Sequence, residues 1–265
     1  MTRKNTPTSF GDIRSLLYER PVQVSTWNKL ARALYFFEEP DALQEEVLPY
    51  CAEAISEWSR DLRRDAPNHW VFTDDGEERD ALHPGLALAT HVELHHPPSE
   101  GCAKRLLESW RFNLVESLEI THSQTPEAVF EMLLDAPVWK SLRAFRYNAH
   151  VSDTLLRKFF ESAWCEQLVD LDLSETGFDD GMMAFVASRD HFERLEWLSL
   201  RGNDLTHESI EHLLTMKSLG QLVSLDLMDN AFEYEDKRFF HADSTSLDEG
   251  VLEQAWEEYY WDAFE

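Results

Sequence analysis

LVDLDLSETGF at residues 168–178, LEWLSLRGNDL at 195–205 and LVSLDLMDNAF at 222–232 are three copies of one template, set 27 residues apart (195 − 168 and 222 − 195). Self-similarity at a fixed period marks a chain built from stacked units and outranks any local pattern as evidence of fold. Carried backwards, the template finds weaker copies at Leu142 (LRAFRYNAH), Val115 (VESLEITHS) and Ala89 (ATHVELHHP), at steps of 26 or 27 residues. Six units result. The fourth position reads Val92, Leu118, Phe145, Leu171, Leu198, Leu225, and the sixth reads Leu94, Ile120, Tyr147, Leu173, Leu200, Leu227. With the first position (Ala89, Val115, Leu142, Leu168, Leu195, Leu222) every anchor is apolar.

The second half of each unit is apolar at helical spacing. The sets are Ala103/Leu106/Leu107/Phe112, Val129/Met132/Leu133/Val138, Leu156/Phe159/Phe160/Cys165, Met183/Val186/Ala187/Phe192 and Ile210/Leu213/Leu214/Leu219. Each unit is therefore expected to be a strand, a turn and a helix. One such unit cannot bury both its apolar faces, so neighbours stack and share a core, with parallel strands on one side and helices on the other.

LxxLxLxxN followed by a helix resembles the leucine-rich repeat, and the helical second half and long period are similar to the ribonuclease-inhibitor-like and cysteine-containing subfamilies. The resemblance covers residues 86–232 and implies an α/β horseshoe, strands on its concave face and helices on its convex face. It also implies protein binding on the concave face. The ninth position, where the family's asparagine bonds the loop backbone, is Asn203 and Asn230 in the last two units and Pro97, Ser123, His150 and Thr176 in the others. The early loops are expected to be irregular.

The flanks differ. Residues 1–85 carry helical patterning around Trp27–Phe37 and Val47–Leu62, broken by Pro21, Pro40 and Pro49. They are expected to form an N-terminal helical cap, with His69–Thr73 as an added edge strand. Residues 233–265 hold 11 acidic and 2 basic residues among many aromatic ones, and Ser246 to Glu249 is a capping-box signature. That segment is expected to be a helix that caps the array or binds a partner.

Strand side chains alternate faces, so the third, fifth and seventh template positions should point away from the core. Among them Trp197, Arg201, Asp170, Asp172, Asp226 and Met228 are the expected partner-contact patch, because exposed tryptophan and arginine beside carboxylates are hot-spot residue types. Glu119, Arg146 and Asp172 should form one column across three strands and extend it. The pair Asp170 and Asp172 mimics a phosphoryl-transfer dyad, but other units place Trp197/Ser199 and Ser224/Asp226 at the same positions. His91, Glu93 and His95 face one way at period two, yet project in parallel, so no metal site is assigned. Cys165 takes a helix-core place, Cys51 has no sequence-paired histidine nearby and Cys102 precedes the core Ala103, so no catalytic residue is assigned.

Composition bounds the partner. Lys+Arg 24 against Asp+Glu 51 gives −27, which disfavours nucleic acid and anionic membrane and favours a basic protein. No GxGxxG or GxxxxGK[ST] pattern occurs, and no cofactor is expected. Met1–Arg14 has no apolar stretch behind Arg3 and Lys4, and three widely spaced cysteines suit a reducing compartment. The expectation is a monomeric, cytoplasmic, acidic scaffold that binds a protein. An inhibitor of a basic enzyme is the alternative, and a metal-dependent enzyme the remote one.

Overall fold

The computed structural model describes residues 8–59, 62–73, 76–108, 114–136, 140–189 and 192–232. The acidic aromatic segment 233–265 lies outside the described residues, as do Phe112 and Val138 of the helix sets.

The chain begins with helices whose apolar residues recur every three or four positions. α1 (Phe10–Leu17) opens on a reciprocal capping box: the Ser9 hydroxyl accepts from the Asp12 N–H, and the Asp12 carboxylate accepts from the Ser9 N–H at 2.9 Å. α2 (Val24–Tyr35) buries Trp27, Leu30, Ala31 and Leu34. Next come α3 (Pro40–Ala42), a π-helical stretch Leu43–Val47 and α4 (Leu48–Ser56), which turns Cys51 and Ile55 inwards. Trp70 and Phe72 are fully buried beneath them.

The repeats give β1 (His91–Glu93), α5 (Glu100–Glu108), β2 (Ser117–Ile120), α6 (Glu127–Leu134), β3 (Ala144–Tyr147), α7 (Asp153–Phe160), α8 (Trp164–Gln167), β4 (Asp170–Asp172), α9 (Asp180–Arg189), β5 (Trp197–Ser199), α10 (His207–Leu213) and β6 (Ser224–Asp226). The six strands form one parallel sheet in chain order, β1 to β6. Val92, Leu118, Phe145, Leu171, Leu198 and Leu225 stand in one register row, all buried. Helices cover that side of the sheet, and one contiguous apolar core runs from Ile13 to Phe232. The arrangement is an α/β fold with a six-stranded parallel sheet, compatible with a solenoid.

Consecutive units are joined by two polar devices. Asn203 is buried, and its carbonyl accepts from the N–H groups of Thr176, Gly177 and Phe178 at 3.1, 3.0 and 2.9 Å while its amide donates to the Leu173 and Leu200 carbonyls, both at 2.9 Å. Asn230 repeats part of this, accepting from the Leu205 N–H at 3.1 Å. The residue before the ninth position is left-handed in the last three units, Glu175 (φ 58°), Gly202 (φ 65°) and Asp229 (φ 58°), a conformation that glycine alone takes without strain. In addition, a carboxylate of one unit accepts from the chain just before the next unit's helix. Glu127 takes the Ser152 N–H at 2.7 Å, and Asp180 takes the Thr206 N–H at 2.8 Å and the hydroxyls of Thr206 and Ser209. Glu78 of the cap does the same for Ser99 before α5.

Several expectations need correcting. Residues 69–73 are not the edge strand: Asn68–Trp70 is a 3-10 turn, and Arg64–Ala66 lies beside β1 instead. There the Thr90 N–H donates to the Arg64 carbonyl at 3.0 Å, and the Ala66 N–H to that of His91 at 2.8 Å. The helix read through Leu156–Cys165 is two, α7 and α8, split at 161–163. Leu214, expected in the core, is 42% exposed because α10 ends at Leu213.

Candidate functional site

The uncovered face of the sheet is built by the third and fifth positions of each strand. The third-position row is His91, Ser117, Ala144, Asp170, Trp197, Ser224, and the fifth-position row is Glu93, Glu119, Arg146, Asp172, Ser199, Asp226. Alternation puts apolar residues under this surface and polar groups on it, apart from Ala144 and Trp197. Trp197 is 48% exposed and, among the described residues, the one large apolar side chain of that exposure that lies in a strand.

The expected patch is partly assembled. Across the strands Trp197 sits between Asp170 and Ser224, whereas Asp172 and Asp226, expected beside it, flank Ser199 one step along β5. Glu119, Arg146 and Asp172 do share a row, but the Arg146 guanidinium bonds diagonally to Asp170, at 3.0 Å. Burial disfavours the charge on Arg146, yet the neighbouring Asp170 carboxylate outweighs it and holds the guanidinium ionised. Glu119 lies 3.7 Å from Arg63, a cap residue that sequence reasoning missed. Arg63 stands in the charged run before β1, where no apolar pattern marks a structured segment.

The seventh position lies beyond the strand ends and does not face outwards in every unit as expected: His95, Thr121 and Arg201 are exposed, whereas Ser174 and Met228 are buried. Met228 is buried, 9% exposed, with its sulfur 3.7 Å from the Arg201 guanidinium, so it is no contact residue. Ser174 is buried as well. Arg201 turns away along the end of the sheet to Asp229, at 2.7 Å. The carboxylates of Asp172 and Asp226 each take the N–H two residues on, from Ser174 at 3.0 Å and from Met228 at 2.9 Å, which ends both strands in the same turn.

The remaining chemistry is dispersed. His91 bonds Thr90 at 2.8 Å and His95 meets Glu93 at 3.0 Å, so the two imidazoles have separate partners. Burial, followed by the charge of Arg63, lowers the His91 pKa. Among the described residues no three His, Cys, Asp or Glu side chains are disposed to hold a metal, and no helix is long and apolar enough to cross a membrane. All three thiols are buried, and burial pushes those of Cys51 and Cys102 up to about 12, far from thiolate reactivity at neutral pH.

Fold and face together define an α/β protein with a sequentially ordered parallel sheet, one side under helices and the other open and polar around a single tryptophan. No protein-family model and no curated protein matches the chain. Among solved structures, a protein from Bacteroides fragilis, determined in a structural genomics programme, is similar at 19% identity and a TM-score of 0.38, over 47% of this chain and 38% of that one.

Proposed function

We propose that the chain is a leucine-rich-repeat solenoid that binds a partner protein on its open sheet face, around Trp197. The carrying observation is the half-exposed indole on a rigid sheet. Covering the open half of an indole, about 100 Å² of apolar surface, is worth roughly 2.5 kcal/mol. Carboxylates share the face with it: Asp170 beside it, Asp172 and Asp226 on either side of Ser199, and Glu119 farther along. Together with the overall −27, this favours a basic partner and faster encounter with it. The repeat anchors, the asparagine ladder at Asn203 and Asn230 and the sequential strand order support the solenoid reading.

The test is affinity capture from the source organism's lysate with wild-type protein and with Trp197→Ala/Asp172→Ala, eluted by rising salt. A basic protein that the variant fails to retain, and that modest salt releases, is the expected result, since exposed charges are screened over about 10 Å at 0.1 M. Identical captures by both proteins would remove the sheet face from consideration.

A further inference from the structure

On the strength of that face reading, we propose that the sheet carries a socket for one arginine side chain of the partner, at Ser199 between Asp172 and Asp226 and beside the Trp197 ring. Ser199 is the small fifth-position residue of β5, and register places Asp172 on one side of it and Asp226 on the other. Both acids use Oδ1 for the backbone turn, where Asp172 also takes the Ser174 hydroxyl, and neither has an ion pair among the described residues; Arg146, the register neighbour of Asp172, directs its bond to Asp170. Their neighbours on the sheet are already matched, Asp170 with Arg146 and Asp229 with Arg201. The two unmatched carboxylates therefore stand together, over the gap that serine leaves and next to the exposed indole.

Size decides the cation. Two strand spacings separate the Cα atoms of Asp172 and Asp226 by about 9.6 Å, and strand side chains stand roughly perpendicular to the sheet. An ammonium bridging two carboxylates spans about 5.6 Å between oxygens, two hydrogen bonds end to end, whereas a guanidinium with a bond at each side spans about 8 Å. Guanidinium fills the gap with less movement. Its flat face also stacks on tryptophan, which an ammonium matches only as a point charge. Arg201 lies at the far end of the gap, but its charge is directed to Asp229.

The probes are nona-arginine and nona-lysine, equal in charge, titrated calorimetrically into the full chain at low salt. Arginine is expected to bind about fivefold more tightly or better, given its fork geometry. Asp172→Asn/Asp226→Asn should bring that ratio close to one, while Glu45→Gln/Glu46→Gln on the cap removes the same charge and should leave the ratio intact. Asparagine keeps the oxygen that accepts the Ser174 and Met228 N–H groups, so the turns survive the change. Equal binding of the two peptides, or a ratio indifferent to Asp172 and Asp226, overturns the socket. The face reading is scored separately: Trp197→Ala abolishing partner capture while the arginine ratio is unchanged by Asp172→Asn/Asp226→Asn sustains the face and rejects the socket.

Discussion

Asn203 shows how one side chain ties a unit to the one before it. Its amide group meets three N–H groups of the preceding unit's loop and two carbonyls, of Leu173 and Leu200, in a site 6% exposed. Alanine would leave the three N–H groups unmatched, each at a cost of about 1–3 kcal/mol before relaxation, while the Leu173 and Leu200 carbonyls keep the Thr176 hydroxyl and the Asn230 amide. Asn203→Ala is accordingly expected to lose roughly 3 kcal/mol or more, read from the denaturant midpoint; a loss below about 1 kcal/mol would mean that the loop is held by other means. Thr176 fills the same template position in the previous unit and does less, its hydroxyl donating to the Leu173 carbonyl at 2.7 Å. The asparagine was legible in the sequence because its position is fixed by the repeat. Gly202 marks the left-handed turn just before it, whereas Glu175 gives no such sign of the same turn in the preceding unit.

At the scale of elements, the carboxylate bridges from one unit to the start of the next helix were invisible, because Glu78, Glu127 and Asp180 look like any exposed acid until stacking brings Ser99, Ser152 and Thr206 to them. They link stability to pH. Burial of Asp180 disfavours its charge, but the hydroxyls and N–H groups of Ser209 and Thr206 outweigh that and lower its pKa. Glu78 and Glu127 are lowered by equivalent bonds from Ser99 and Ser152, Glu78 against the opposing effect of burial. A group depressed in the folded state stabilises fully above its unfolded value, about 4 for these acids, and loses that contribution as pH falls through its folded value. Acidification also relieves the self-repulsion of −27, so the informative quantity is the difference between proteins. Glu78→Gln/Glu127→Gln/Asp180→Asn is expected to be less stable than wild type at pH 7, and the difference to shrink progressively as pH falls below about 4. Parallel denaturation midpoints across that range would exclude the bridges as the cause. The edge beside β1 was misread for a related reason: Arg64–Ala66 pairs through backbone alone and has no apolar alternation to announce it.

For the whole molecule, period carried most of the fold. Six strands in chain order and the buried apolar row follow from anchors that recur every 26 or 27 residues. The open face followed less completely. Alternation placed Trp197, Asp170, Asp172 and Asp226 on it, but where each strand ends depends on turn geometry, and that is why Met228 proved buried. How the acids pair depends on diagonal reach between strands, as Arg146 with Asp170 shows. Binding at that face is the account's central claim. The most direct measurement places a photo-crosslinking phenylalanine analogue at position 197 on the sheet or, in a second protein, at position 214 on the helical side, where Leu214 is nearly as open. After irradiation in lysate, a discrete adduct with one basic protein from position 197 and none from position 214 is the predicted result. An adduct from position 214 alone, or no difference between the two positions, would contradict recognition by the sheet.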